Sequence, residues 1–268
     1  MGHRTMTRQR QILAIMALAS FGLIASLIWD HFTRNEIPEP DELVLFFQDS
    51  ALTDATGALH SVRKWAPIVG ESTIYIGQIK LDPGFVDQPD VRKIRRGLEQ
   101  ITIGLTDITG MTIAPSTTPT GDIEVSLIPD VAGPEVSNNS LVRSNRIRKG
   151  EITVRIGDLQ ARQYVNCGSE REDCIEQDEF DAEVSRRIYK GLVRVLGLTG
   201  IPRTGRSILR QDMTLSASDV LALHILYQDR LPPGATPVEA MAVARQVADG
   251  VKENRMLDEF LNTLGTVE

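Results

Sequence analysis

The sequence predicts an α+β fold, a mixed β-sheet with packed helices, preceded by one N-terminal transmembrane helix. Three observations predict it. An uncharged apolar run, ILAIMALASFGLIASLIW, extends from Ile12 to Trp29. Short runs of alternating β-branched residues are interspersed with longer segments whose apolar residues recur every three or four positions. These runs follow the order strand, strand, helix, strands, helix, helices, which suits an α+β sheet better than a regular βαβ array.

The apolar run is long enough to span a membrane. A helix rises about 1.5 Å per residue, so the run reaches roughly 27 Å, close to the ~30 Å hydrocarbon core. Arg4, Arg8 and Arg10 precede it, whereas Asp30, Glu36, Glu39, Asp41 and Glu42 follow it against Arg34 alone. The arginine bias keeps the N-terminus cytoplasmic and exports the remainder, which in a bacterium reaches the periplasm. Trp29 suits the headgroup zone. The competing reading is a cleaved signal peptide, because Ala17-Leu18-Ala19 has a small-x-small form. Cleavage there would leave an apolar core of only about five residues, against the usual 7–15. The organisation read from the sequence is a tail over 1–11, an anchor over 12–29, a linker over 30–42 and one exported domain over 43–268. Pro38 and Pro40 stiffen the linker.

The chain carries a net charge of −7, and three of its positive charges lie in the tail, so the exported part is more acidic still. That excludes nucleic acid as a natural partner. Its two cysteines, Cys167 and Cys174, close the short segment CGSEREDC. Export favours a disulfide, which by loop entropy contributes roughly 2.5 kcal/mol. The alternative is a thiolate metal site or redox pair. Zinc wants four ligands, no histidine lies nearby and the spacing is not Cys-x-x-Cys.

Within the exported part, Leu43–Gln48 and Ile68–Ile76 read as strands, with Trp65 and Pro67 leading into the second. A helix then follows Asp87 and Pro89, with Val91, Ile94, Leu98, Ile101, Leu105 and Ile108 on one face and Gly110 ending it. Met111–Ala114 and Asp122–Ile128 read as strands around the turn-rich PSTTPTG, and Pro129–Asn145 reads as loop. Ile152, Val154 and Ile156 alternate as a half-buried strand. Glu179–Leu196 is an amphipathic helix carrying Phe180, Val184, Ile188, Leu192 and Val195, ended by Gly197. A third helix spans Asp219–Tyr227 behind Ser216 or Ser218. A fourth begins at the capping box Thr236-Pro237-Val238-Glu239 and runs to about Asp249.

The stretch FDAEVSRRIYKGLVRVLGL, followed by SILRQDMTLSASDVLALHILYQDRLPPGATPVEA, resembles the uncharacterised bacterial family called domain of unknown function 2927. The order of elements also resembles metzincin-type zinc peptidases, whose helix carries His-Glu-x-x-His-x-x-Gly, and this implies a metzincin-like topology. The resemblance runs from Trp65 to about Ala240, and its specific part is Val195–Leu198 with Leu223–Gly234. Aligning on Gly197 puts Lys190 and Arg194 at the histidine positions and Gly191 at the catalytic glutamate. The uncharacterised family tends to have Glu-Glu-x-x-Gln there, which this chain also lacks. An ammonium and a guanidinium repel a dication and offer no lone pair, so the resemblance implies a scaffold without its metal, cofactor or catalytic residues.

Lys190 and Arg194 then have three readings. They are a solvated face near the helix C-terminus, where cations suit the dipole, the floor of a cleft that takes a carboxylate or another anion, or partners in salt bridges to the acidic segment upstream. Arg143, Arg146, Arg148 and Lys149 form a basic run before the Ile152 strand, either a solvated turn or a surface steering an acidic partner. Glu170, Glu172, Asp173, Glu176, Asp178, Glu179, Asp181 and Glu183 crowd one region but match no calcium loop. His224, among Leu221, Leu223, Ile225 and Leu226, reads as a core-edge histidine. Ser185 and Lys190 make no nucleophile motif.

The function expected is therefore binding, by a non-catalytic module on a degenerate peptidase-like scaffold. Its partners are an envelope protein or peptide, taken up by the exposed edge of the Ile152–Ile156 strand, and the lipid bilayer through Ile12 to Trp29. One alternative is a hydrolase using Glu179 or Glu183, with Lys190 and Arg194 as anion stabilisers. Another is a structural subunit of an inner-membrane assembly, packing through Ala14, Ala17, Gly22 and Ala25. The oligomeric state is not legible.

Overall fold

Ile123, Val125 and Leu127 are fully buried while the residues between them are not, and this alternation makes Ile123–Ile128 the spine of the sheet. In the computed structural model, residues 38–54, 56–66, 73–84, 89–163, 174–210 and 215–251 are described, and they belong to one unit. The expected anchor at 12–29, Cys167 and the acids Glu170, Glu172 and Asp173 lie outside them. Among the described residues no helix is long and apolar enough to cross a membrane.

The strands are β1 (Lys64–Trp65), β2 (Thr73–Ile76), β3 (Lys80–Leu81), β4 (Thr112–Pro115), β5 (Ile123–Ile128), β6 (Val136–Arg143) and β7 (Arg146–Arg155). The helices are α1 (Pro40–Ala51), α2 (Val91–Thr109), α3 (Gly157–Arg162), α4 (Gln177–Val195), α5 (Ala217–Leu226) and α6 (Pro237–Gly250). The sheet path runs β1-β7-β5-β2-β4, all parallel, with β3 beside β5 and β6 antiparallel to β7. The fold is α+β with a mostly parallel, mixed seven-stranded sheet.

Several elements follow the sequence pattern closely. The side chain of Asp90 caps α2 by accepting from Arg92 N and Lys93 N, and Gly110 ends it with a φ of 66° that disfavours other residues. Pro89 thus lies just before the cap rather than in the first turn, and Asp87 lies outside the described residues. Ser216 with Asp219 and Thr236 with Glu239 form reciprocal capping boxes at α5 and α6. Asp219 is fully buried there and accepts from Ser207 Oγ, Ile208 N, Ser216 N and Ser216 Oγ. Cys174 is disulfide-bonded, and Cys167 is the other cysteine of the chain.

Three expectations are corrected. Leu43–Gln48 is not a strand but the middle of α1, which starts at Pro40, inside the expected linker. Leu43, Phe46, Phe47 and Ala51 are spaced for one helical face, and a short apolar run alone does not distinguish strand from helix. The expected loop 129–145 contains β6, joined to β7 by Ser144 and Asn145 with φ of 50° and 60°, the signature of a two-residue primed turn. Finally, the Ile152–Ile156 strand has no exposed edge. Gly150–Arg155 pair with β5 on one side and residues of β6 on the other, so β6 is the outer strand.

Candidate functional site

Arg186, Lys190 and Arg194 recur every four residues along α4, with Arg187 beside them, so one face of the helix carries four cations. Like charges at this spacing repel, and an exposed row would cost stability. Here the row lies against the sheet. α4 runs antiparallel to β7: Arg187 Nη1 donates to Arg155 O, Gly191 lies over Ile152 and Val195 over Gly150. Arg186, Arg187 and Lys190 are each over nine-tenths buried, and Arg194 is half-buried. The solvated-face reading of Lys190 and Arg194 is thereby overturned, because β6 and the segment leading into it cover this face.

Acids from three elements offset the row. Glu135, immediately before β6, accepts from Lys190 Nζ at 2.6 Å and from Arg186 Nη2 at 3.1 Å. Glu183, one turn earlier on α4, accepts from Arg186 Nη2 at 2.6 Å and Arg187 Nε at 3.0 Å. Asp158 of α3 receives Arg187 in a two-pronged pair at 2.8 and 2.6 Å. Lys190 Nζ also donates to Arg210 O at 3.1 Å.

The electrostatics follow from this geometry. Burial pushes the Glu135 carboxyl up, but the Lys190 hydrogen bond and the charges of Arg186 and Arg187 outweigh it and hold the group below the usual carboxylate range. The same contest at Asp158, between burial and Arg187, also ends below that range. Arg194 differs. Burial lowers its pKa and Glu135 offsets this only through space, while its Nε is buried without a hydrogen-bond partner among the described residues. Arg186 Nη1 is likewise buried and unpartnered. Four cations thus face three carboxylates among the described residues, with two guanidinium nitrogens left over.

Lys190 and Arg194 share this site. Arg143 and Arg146 do not, since they are exposed at the tip of the β6–β7 hairpin, beyond Gly150. Glu135, which organises the site, escaped the sequence reading because it sits in a stretch taken as loop. Its one legible signal is an acid directly before Val136, the first buried residue of β6. The acidic crowd is dispersed over separate partners: Asp178 holds Lys93 at 2.7 Å, Asp181 accepts from Asp90 N and Gln177, and Glu183 is committed to two arginines. Glu179 is exposed.

A zinc centre does not fit these residues. Neither Lys190 nor Arg194 offers a lone pair while protonated, and a β-carbon at Gly191 would meet Ile152 Cγ2 at 2.4 Å, so no glutamate is accommodated there. No family model matches the chain, and no curated protein matches it.

Proposed function

We propose that the domain binds an extended peptide segment bearing a carboxylate, with the peptide backbone pairing along β6 and the carboxylate received by the cations of α4. The observation that carries this is the position of β6. It is an eight-residue strand whose only strand partner among the described residues is β7, and it is stacked on the helix that presents Lys190 and Arg194. Main-chain pairing along such an edge supplies affinity, and the surplus cation beneath it supplies selectivity. Glu135 serves as an internal stand-in for the ligand's carboxylate.

The order β6-β7-β5-β2-β4, with β6 reversed and α4 following β7, supports a degenerate metzincin-like scaffold within the domain of unknown function 2927 family. In that reading Ile12 to Trp29 anchors the domain at the inner membrane, facing the periplasm, and its partner is an envelope protein or peptide.

The test is fluorescence anisotropy with labelled extended peptides ending in an acidic residue. Binding should saturate, weaken at high salt, and fall at least about tenfold on amidating the carboxylates or on Arg194→Met, consistent with one charge-assisted contact. N-methylation of alternate backbone positions should abolish it. Binding indifferent to both backbone methylation and Arg194→Met would overturn the proposal, as would the absence of saturable binding.

A further inference from the structure

Lys64 opens β1 with a side chain that is almost wholly buried, yet it lines a cavity of about 370 Å³ far along the chain from α4. Trp65, Met111, Tyr227 and His224 wall this cavity, and Asp107 and Asp229 stand at it on exposed turns. Two helices end here. The last turn of α2 brings Asp107 to Gly110, and the end of α5 brings His224.

Lys64 Nζ donates to Leu226 O at 3.0 Å and to Gln228 O at 3.2 Å, and lies 5.5 Å from the centre of the Tyr227 ring. The other described lysines all donate a hydrogen bond to a carboxylate. Lys80 and Lys149 pair with Glu124 at 2.5 and 2.9 Å, Lys93 with Asp178 at 2.7 Å, and Lys190 with Glu135 at 2.6 Å. Among the described residues Lys64 bonds only neutral carbonyls, which a neutral amine satisfies as well as an ammonium does. Its two N–H bonds to those carbonyls leave the lone pair in a remaining tetrahedral direction.

We propose that Lys64 is a nucleophilic amine that forms an imine with an uncharged aldehyde or ketone admitted to this cavity. The lone pair forms the C–N bond, the two amine protons leave with the carbonyl oxygen as water, and the imine nitrogen then takes up one proton from solvent, with no change of oxidation state. That new N–H is available to the Leu226 and Gln228 carbonyls. Asp107, Asp229 and the negative ends of two helices disfavour anionic carbonyl compounds such as keto acids, while Trp65 and Met111 favour an apolar chain. Burial drives the Lys64 pKa down to about 8 against the pull of Asp229, which leaves a useful fraction unprotonated near neutrality. His224 faces the same cavity, and burial lowers its pKa too, outweighing its bond to Ile108, so it adds no positive charge at neutral pH.

The test treats the full chain with butyraldehyde and cyanoborohydride at about pH 7.5, where an ordinary lysine is almost entirely protonated, and reads label at each lysine by peptide mass spectrometry. Lys64 should label at least about tenfold faster than Lys80, Lys93 and Lys149, although those side chains are 47%, 48% and 43% exposed. Its rate should rise through a midpoint near pH 8, glyoxylate should label it more slowly than butyraldehyde, and Lys64→Arg should remove the fast phase. Should that variant fail to fold, the comparison among lysines of the unaltered chain decides alone. Lys64 labelling no faster than the exposed lysines would overturn the proposal.

Discussion

Gly191 lies against Ile152 so closely that a β-carbon at residue 191 would stand 2.4 Å from Ile152 Cγ2. This contact sets the height of α4 over β7. Gly191→Ala gains about 1 kcal/mol of helix propensity but overpacks the interface by about 1–3 kcal/mol, so a net loss is expected in urea unfolding. Gly191→Glu, which restores the residue type of the peptidase pattern, should fail to fold.

The acid side of the stability profile should be set partly by Glu135 and Asp158. Their folded pKa values lie below the ordinary 4.5 and 3.8, so their stabilisation is complete above those values and is lost as pH falls through the lower folded values. Glu135→Gln should cost about 1–3 kcal/mol at neutral pH, discounted for its partial exposure, and should flatten the acid limb measured by denaturant midpoints.

Lys64 has the same sign in a higher pH window. Its folded pKa of about 8 lies below the ordinary 10.5, so the unfolded chain binds more protons between those values and stability contributed by this group rises with pH across that window. Replacing Lys64 with Met should remove the rise. A stability profile identical in both proteins from about pH 8 to 10.5 would contradict it.

Asp219 gathers four donors in a site closed to solvent. Asp219→Ala orphans them and uncaps α5, with an expected cost of about 3–5 kcal/mol. Asp219→Asn should recover little, because an amide turns an N–H₂ toward groups that themselves donate. Urea midpoints of the two variants would check this.

The periodic elements were legible because their burial is one-sided. The three- and four-residue spacing of Ile94, Leu98, Leu105 and Ile108 gives α2, and the alternation through Ile123 gives β5. β6 was hidden because VSNNSLVR is polar and half exposed, and an outer strand owes its existence to the ladder with β7 and the Ser144–Asn145 turn rather than to its own composition. Lys190 and Arg194 were found through their alignment with a metal motif. Their burial was not foreseen, since it depends on Glu135, which arrives from 55 residues before Lys190. Lys64 passed unnoticed because an isolated lysine before a tryptophan carries no pattern. Its setting is made by Leu226 and Gln228, over 160 residues further on.

Asp41, in the first turn of α1, pairs with Arg245 of α6, and the two helices pack together. Tension applied to the chain at residue 38 therefore reaches a helix–helix contact before it reaches any β-ladder. α1 should peel away as the first event under load, lengthening the chain by one short helix, while the parallel sheet and the cations of α4 hold their places. The domain thus carries a mechanical fuse at the N-terminal end of its described residues, and a pull that would shear a sheet edge is spent on a contact that can re-form.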